Sequence, residues 1–241
     1  VRGRVDALKQ RLEELAGEPI NNRAICDAVS VVNRTRELQK QVNALRRVTP
    51  SRLSGSDALR IFGANGFTTP AEYQALLMDI IAAPPASLAT GVRVMIKGSP
   101  HDDTSFYELV ERCGGIVVAD DHTCGERMFD SSVRETDNPL DAIAFYYQTQ
   151  SFSARSYPQS DQDVHFLATV DAAKVDAVIF FIEENDDTFG WDYPDQKKAL
   201  DSLGIPSLYL PLQSHRNPDT ASQKAAIATF LRVAAARRLA S

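Results

Sequence analysis

The chain has 241 residues, of which 44% are hydrophobic and 24% charged, and its formal net charge at pH 7 is −6. A chain of this size and composition can bury one large core or two modest ones. Its Lys and Arg residues are scattered among acidic residues and form no basic stripe, which argues against a nucleic acid as a partner. No apolar run approaches the roughly 18 residues that a membrane span needs, so we expect no membrane partner.

The cysteines Cys26, Cys113 and Cys124 are odd in number and lack a C-x-x-C spacing. This pattern is more typical of a reducing cytoplasm than of a disulfide framework, and no signal-peptide pattern is present, so we predict a cytoplasmic protein. These thiols cannot form a zinc or iron–sulfur site by themselves. The sequence also contains no GxGxxG, P-loop, GxSxG or HExxH motif, which argues against several standard enzyme classes.

Residues 1–88 are predicted to form a helical segment. Apolar residues recur at three- and four-residue steps from Val5 to Leu15 and from Ile25 to Leu45, and we expect the Arg and Lys residues of the second helix on its outer face. Thr69-Pro70-Ala71-Glu72 has the cap, proline and glutamate of a helix start. That helix ends before Pro84-Pro85, the clearest boundary in the chain. The chain has no initial Met and opens directly into a helical pattern, which indicates a processed or truncated chain.

Residues 89–241 are predicted to form an α/β domain. Short apolar stretches alternate with helical patterns, and near-continuous apolar strands are typical of a parallel sheet covered by helices on both faces. The sequence therefore predicts a Rossmann-like, specifically flavodoxin-like, fold. The predicted strands are Val92–Ile96, Ile116–Ala119, Ala177–Ile182 and Ile205–Leu212, and the predicted helices span 103–113, 139–150, 161–174, 194–203 and 220–239.

Polar residues are concentrated where the predicted strands end. In open parallel sheets, ligands bind at the carboxyl ends of the strands, so this edge is the expected functional pocket. The candidate pocket residues are Ser99, Asp120, Asp121, His122, Cys124, Glu183, Glu184, Asn185, Trp191 and His215.

Several of these candidates have a structural alternative. Ser99 or Asp103 could cap the helix that follows the first strand. Asp120 and Asp121 could bind a divalent metal through oxygen, or could accept hydrogen bonds from backbone amides. No metal ligand is certain in this chain.

The remaining candidates are a cysteine and a tryptophan. Cys124 is the only cysteine in a strand-end loop, whereas Cys113 and Cys26 are expected to be buried packing residues. Trp191 could form a wall of the pocket, or could pack on the start of a helix.

The segment from Arg93 to Asp130 resembles the benzoyl-CoA reductase/2-hydroxyacyl-CoA dehydratase family. The matching motifs are Gly98-Ser99-Pro100, Gly114-Gly115, Asp120-Asp121 and Gly125-Glu126-Arg127. Further similarity lies in Asn138–Ala142, in Trp191-Asp192-Tyr193-Pro194 and in Gly204-Ile205-Pro206, so that the resemblance runs in order from about residue 5 to 215.

The resemblance implies a catalytic-core subunit of an ATP-activated iron–sulfur enzyme. It implies a homologous second core subunit as partner, an ATP-dependent activator that donates electrons, and an acyl-CoA thioester that is reduced by one electron to a radical. The implied cofactor is a 4Fe-4S cluster, which the protein would tune by hydrogen bonding and burial.

The chain departs from the family pattern in two ways. Family members have an N-terminal α/β domain that supplies cluster cysteines, so the resemblance implies that residues 1–88 link to an N-terminal domain that this sequence lacks. The second departure is at positions where many members carry cysteines. Ser153 stands at one such position, and Glu184-Asn185-Asp186 stands at another. Iron in these clusters prefers thiolate to oxygen. The resemblance therefore implies that the cluster ligands lie mostly outside this chain, and that Ser153 and Asn185 are adjacent to the cluster or the substrate.

Three functional hypotheses follow. The first is an aromatic acyl-CoA reductase of the benzoyl-CoA reductase type, because the acidic run 183–187 followed by Gly190–Pro194 is more similar to that branch. The second is a 2-hydroxyacyl-CoA dehydratase, a radical lyase. The third is a cluster-free homologue that serves as a scaffolding or binding subunit. In each case we predict that this chain alone has no turnover.

Overall fold

A computed structural model describes residues 1–88, 90–151, 156–214 and 220–240. Four strands and nine α-helices occur in these ranges. The helices are α1 (Arg2–Ala16), α2 (Asn22–Arg47), α3 (Gly55–Gly63), α4 (Pro70–Ala82), α5 (Ser105–Arg112), α6 (Pro139–Phe145), α7 (Gln159–Ala172), α8 (Asp187–Ser202) and α9 (Thr220–Ala240), and the strands are β1 (Val92–Gly98), β2 (Gly115–Asp121), β3 (Ala177–Glu183) and β4 (Ser207–Gln213).

The four strands form one parallel sheet in the order β2-β1-β3-β4. This confirms the predicted α/β fold with a flavodoxin-like strand order. Side chains alternate between the two faces of each strand, as the pleat requires. Ile96 and Ile179 face the core under α5 and α9, whereas Met95 and Phe180 face the core under α7 and α8.

The register brings polar strand ends together. Lys97 is paired with Asp121 across β1 and β2, and Gly98 is paired with Phe181 across β1 and β3. Asp120 and Asp121 are the last residues of β2 and are buried, whereas the sequence placed them just after the strand. The carboxyl ends of β1, β2 and β3 therefore form one continuous edge.

The helical segment has its own apolar cluster and also packs on the sheet. Leu38, Phe62, Tyr73 and Leu77 are buried together, and Phe129 from the loop after β2 completes the cluster. The predicted helix start at Thr69-Pro70-Ala71-Glu72 is confirmed, since Thr69 and Glu72 form a capping box at the start of α4.

Close packing joins α3 to β2. A side chain at Gly55 would overlap Val117, so that only glycine permits this approach. The predicted boundary between 1–88 and 89–241 stays a prediction, and packing contacts of α1, α2 and α3 join the two parts.

Two arginines of α2 are buried and do not lie on its outer face. Arg46 is fully buried and Arg36 is 8% exposed, so the expectation that the Arg and Lys residues of this helix face outward is wrong for both. Arg36 stacks on the ring of Tyr146, 4.5 Å from its centroid, and Arg46 meets carboxylates of the α/β part. Charge can be buried in this helix because counter-charges and aromatic faces lie against it.

The helix predicted to begin at Pro194 begins seven residues earlier. The Asp186 side chain accepts a hydrogen bond from Phe189 N (3.4 Å) and caps α8, which leaves Pro194 inside the helix. Trp191 therefore lies on a helix rather than in a loop. The predicted helix 139–150 is likewise divided, with α6 continuing as a π-helical turn over Tyr146–Gln150.

No helix in the described ranges is both long enough and apolar enough to cross a membrane.

Candidate functional site

Ser99 joins the ends of β1 and β3. Its Oγ accepts a hydrogen bond from Glu183 N (3.0 Å) and donates one to Asp186 Oδ2 (2.7 Å). The preceding Gly98 has a φ of 132°, and a side chain there would overlap the backbone of Phe181. Ser99 is therefore a buried link between strands and does not cap α5. Asp103 Oδ1 accepts a hydrogen bond from Ser105 N at 2.7 Å, but the N-cap of α5 is Thr104, which makes no side-chain cap bond, so Asp103 lies one residue before the cap position.

A first group of buried charges, the Asp120 network, consists of Arg46, Asp120 and Glu126. Arg46 donates to Asp120 Oδ2 and to Glu126 Oε1, both at 2.8 Å, and Glu126 N donates to Asp120 Oδ1 at 2.7 Å. Asp120 thus accepts a backbone amide, as one of its predicted alternatives required. Burial by itself raises the pKa of Asp120, but Arg46 outweighs it and lowers the pKa to about 2. This network pins α2 to the end of β2.

His122 and Tyr107 extend the Asp120 network. Tyr107 Oη lies 2.6 Å from His122 Nε2, and Cys124 N donates to His122 Nδ1 at 3.3 Å. With Nδ1 accepting, the imidazole proton lies on Nε2. Burial lowers the pKa of His122, which keeps the ring neutral. The ring is fully buried, so His122 orders the loop after β2 and does not line an open pocket.

A second group, the Asp121 network, consists of Lys97, Asp121 and Arg127. Lys97 Nζ donates to Asp121 Oδ2 at 2.6 Å, and Arg127 Nε donates to Asp121 Oδ1. Burial by itself raises the pKa of Asp121, but the two cations outweigh it and hold the pKa well below its usual range. Burial lowers the pKa of Lys97. The two aspartates proposed as metal ligands are therefore both engaged by cations.

Two further carboxyls lie near the Asp121 network. Burial raises the pKa of Asp130 to about 6 and also raises the pKa of Asp192, and Arg127 acts on both carboxyls in the opposite direction. Phe189, one helical turn before Asp192 in α8, packs its ring against the Lys97 ammonium (5.0 Å) and the Arg127 guanidinium (5.5 Å). The network thus lies between the end of β1 and the face of α8.

A small cleft opens at the ends of β1, β3 and β4. Its volume is about 110 Å³, and its lining includes His101, Asp102, Phe181, Glu183 and Ser214. The His101 ring is 8% exposed and stacks on Phe106, with 5.1 Å between ring centroids. This volume is well below the roughly 300 Å³ of a small-molecule pocket, so this cleft alone cannot enclose a CoA thioester.

The other sequence candidates are dispersed. Glu184 and Asn185 are exposed, and Trp191 is 81% exposed beside a surface depression that Glu183 and Glu184 also line. Ser153 and His215 lie outside the described residues. The structure thus brings Ser99, Asp120, Asp121, His122, Cys124 and Glu183 to one edge, and their part in function stays a prediction.

The three cysteines lie in three different surroundings and do not form a common site. Cys26 Sγ donates to Thr136 O (3.4 Å) beside α2, Cys113 packs between α5 and α9, and Cys124 follows β2. All three are half-buried, so Cys26 and Cys113 are less buried than expected. Burial raises the pKa of Cys124, which disfavours the thiolate that binds iron.

The described residues of this chain do not offer the ligand set of a 4Fe-4S cluster. In the described ranges, no group of three or more His, Cys, Asp and Glu side chains is arranged to hold a metal. The side chains that could bind metal in the Asp120 and Asp121 networks are already bonded to arginine or lysine.

Sequence reasoning missed the cations. In the sequence pattern, Lys97 resembles any other strand residue and Arg46 resembles a solvent-facing helix residue, although both are buried in the structure. A signal was present only for Arg127, through its place in Gly125-Glu126-Arg127. The need for glycine there is now explained, since a side chain at Gly125 would overlap the Asp120 carboxylate.

Comparison with known proteins gives a consistent result. The family model described as "2-hydroxyglutaryl-CoA dehydratase, D-component" matches residues 1–232. The chain is 28% identical, over 83% of its length, to the (R)-2-hydroxyglutaryl-CoA dehydratase subunit beta of Acidaminococcus fermentans and covers 55% of that protein.

The names of two other relatives give different substrates. The (R)-phenyllactyl-CoA dehydratase beta subunit of Clostridium sporogenes is 22% identical (83% of this chain, 54% of that protein), and a benzoyl-CoA reductase subunit of Thauera aromatica is 25% identical (73% and 48%). The chain spans about half the length of the curated relatives that it matches. The match over nearly the whole chain confirms the resemblance, and the chain belongs to the 2-hydroxyglutaryl-CoA dehydratase D-component family.

Proposed function

We propose that this chain is part of a core subunit of a cytoplasmic acyl-CoA enzyme that works with a homologous second subunit and an ATP-dependent activator. The observation that supports this proposal best is the meeting of the family's separate motifs at one edge of the sheet. Ser99 of the first motif bonds to the end of β3, and the Asp120-Asp121 and Gly125–Arg127 motifs are joined in the two buried networks. The edge is where parallel α/β sheets bind their ligands.

The role proposed for this chain is to form one wall of the thioester site. Its cleft is too small for the substrate, and its described residues offer no set of cluster ligands. We therefore propose that further protein completes the site, and we expect no turnover from this chain alone. Turnover by the isolated chain would contradict this role.

Of the two reactions open to the family, we propose dehydration of a 2-hydroxyacyl-CoA. The sequence favoured aromatic reduction because of residues 183–187 and Gly190–Pro194. In the structure Asp186 caps α8, and Asn185 and Trp191 are exposed rather than part of an enclosed pocket wall. The support for reduction is therefore weakened, while relatives at 28% and 22% identity are named as dehydratase subunits.

Product analysis tests the reaction. The complete enzyme containing this chain, purified without oxygen and supplied with activator, ATP and reductant, would be given 2-hydroxyacyl-CoA thioesters and benzoyl-CoA in parallel. We expect an enoyl-CoA from a 2-hydroxyacyl-CoA and no consumption of benzoyl-CoA. A dienoyl-CoA from benzoyl-CoA with no dehydration would restore the reductase hypothesis.

A cluster-free scaffolding subunit is the second candidate, and the absence of a metal-binding group from the described residues favours it. Iron and acid-labile sulfide content of the anaerobically purified subunit separates the candidates. About four irons per subunit with a reduced-cluster EPR signal would support the enzyme subunit. A folded subunit without iron would make scaffolding the better account.

A further inference from the structure

Two large apolar side chains are exposed in one surface depression at the carboxyl edge of the sheet. Trp191 of α8 is 81% exposed and Leu212 of β4 is 74% exposed, and they line this depression together with the exposed Pro211. Apolar residues scattered singly on a surface need no explanation, whereas a contiguous group often marks an interaction site. Trp191, Pro211 and Leu212 form the Trp191 patch.

A bulge at the end of β4 fixes the exposure of Leu212. Phe181 pairs with Leu210, and Glu183 pairs with Gln213. β3 therefore advances by two residues (181 to 183) while β4 advances by three (210 to 213). Leu212 has a φ of 54°, a left-handed backbone conformation that costs free energy for a residue with a side chain. Bulges commonly change the direction of a side chain, and this one leaves Leu212 facing solvent.

The Trp191 patch favours contact through side chains over the addition of a strand. β4 is an edge strand of the described sheet, but Pro211 has no N–H to donate and the bulge interrupts the ladder. Trp191 lies on the outer face of α8, whose Phe189 and Asp192 are buried. Tryptophan is among the residues that most often dominate the binding energy of a protein interface. The patch is therefore able to insert an indole ring into an apolar pocket of a partner.

The rim of the Trp191 patch is acidic. Four carboxylates line the same depression, and no Lys or Arg is among the described residues that line it; the four are Glu183, Glu184, Asp186 and Asp187. Two copies of this chain joined through the patch would bring the carboxylates of both copies together, which is unfavourable. The complementary surface therefore belongs to a different protein and carries Lys or Arg around an apolar pocket.

The position of the patch indicates which protein binds there. Glu183 lines both this depression and the cleft at the ends of β1, β3 and β4. A protein bound to the patch therefore lies beside the opening of the cleft, where the proposed function requires further protein to complete the thioester site.

We propose that the Trp191 patch is the docking surface for the homologous second core subunit. That subunit receives Trp191 in an apolar pocket and places basic side chains against the acidic rim. This inference rests on the proposed function, which supplies the second subunit, and it identifies the residues of this chain that bind it.

The test is the affinity between the two core subunits, each at full length and purified without oxygen, so that no turnover is needed. Trp191→Ala should raise the Kd about 30-fold, the size of effect expected for a tryptophan at the centre of an interface. Leu212→Gly should raise the Kd about 10-fold and should keep or raise the unfolding midpoint. Glycine removes the apolar side chain but adopts the left-handed backbone without strain, so a merely structural role for Leu212 would not produce this combination.

Glu184→Lys tests the acidic rim. It should lower the association rate about 10-fold at low salt, and the affinity of the unchanged subunits should fall as salt rises from about 0.05 to 0.3 M. The charge-matched control is Asp171→Lys, which changes an exposed carboxylate of α7 and should alter the association rate by less than about twofold. Phe67→Ala is the control for Trp191, because Phe67 is 92% exposed in the helical segment and its loss should leave the affinity unchanged.

Several outcomes would overturn the docking surface. One is an affinity between the subunits that is unchanged in both Trp191→Ala and Leu212→Gly, and another is an equal loss in Phe67→Ala. Self-association of this subunit, or binding of the activator, that depends on Trp191 while the affinity between the core subunits does not, would overturn the assignment to the second core subunit.

The measurements also separate this inference from the proposed reaction. Dehydration of a 2-hydroxyacyl-CoA by an enzyme whose patch variants bind the second subunit normally would overturn the surface and keep the reaction. A complex that depends on Trp191 and forms no enoyl-CoA would keep the surface and overturn the reaction.

Discussion

The Asp120 and Asp121 networks are neighbours in sequence and differ in how completely they are paired. In the Asp120 network, Arg46 uses Nε, Nη1 and Nη2 for Asn43, Asp120 and Glu126, and Asp120 uses both of its oxygens. In the Asp121 network, Arg127 uses Nε alone. Adjacent aspartates at the end of one strand thus belong to one closed arrangement and one open arrangement.

The difference predicts different costs for breaking the two networks. In the closed network, removing Arg46 leaves the buried Asp120 charge without compensation. In the open network, Lys97 stays on Asp121 when Arg127 is removed, so the buried carboxylate keeps a counter-charge. Sequence motifs cannot reveal this distinction, because Asp120-Asp121 is one motif whose two halves face different helices.

The largest effect is expected from breaking the closed network. Arg46→Met leaves Asp120 buried without its cation, and we expect a loss of about 3–5 kcal/mol in the free energy of unfolding, measured by urea denaturation. Arg127→Met leaves Lys97 on Asp121 and should lose less. Arg60→Met, which removes exposed ion pairs, is the control and should change stability by less than about 1 kcal/mol. An equal loss for Arg46→Met and Arg127→Met would contradict the distinction between the networks.

A smaller loss is expected at Gly125, where the loop after β2 passes the Asp120 carboxylate. Gly125→Ala would push a methyl group into Asp120 Oδ1, and we expect a loss of about 1–3 kcal/mol in the same measurement. Gly63→Ala is the matched control, because it has open space and a helical backbone. The closed network would be less rigid than described if both variants were equally stable.

The smallest effect is a pH-dependent gain in the free energy of unfolding when Asp130 is replaced by Asn. Its folded-state pKa of about 6 lies above the ordinary 3.8, so the folded protein holds this proton more tightly and stability falls as pH rises from about 4 to 6. Asp130→Asn removes that loss. We expect a gain of about 1–2 kcal/mol above pH 6, allowing for partial exposure, and no difference below pH 4.

The matched control for this pH profile is Asp171→Asn. Asp171 is exposed and pairs with Lys174 on the surface, so its substitution should leave the pH profile of stability unchanged. A pH-independent effect of Asp130→Asn would show that its carboxyl is ionised without penalty and is not buried in the open network.

The fold was largely predictable from the sequence because its signals are local. Capping at Thr69 and the apolar run Ala177–Ile182 specify their elements without reference to distant residues. The start of α8 was not predictable from Pro194, which is usually a first-turn residue. Tertiary packing decides that start, since buried Phe189 in the first turn lies against Lys97 and Arg127.

The candidate site was predictable only in outline. The edge followed from strand polarity, but the burial of Arg46 depends on Asp120 and Glu126, which come 74 and 80 residues later. The apolar periodicity of a helix predicts that a lone arginine faces solvent, because this pattern contains no information on distant partners. For the same reason the unpaired donors of Arg127 could be found only in the folded chain.

The most direct test of the proposed role is a crystal structure of the complete enzyme containing this chain with a bound 2-hydroxyacyl-CoA. Our account predicts the thioester at the carboxyl ends of β1, β2 and β3, with this chain forming one wall of its site. A thioester bound away from this edge of the sheet would contradict it.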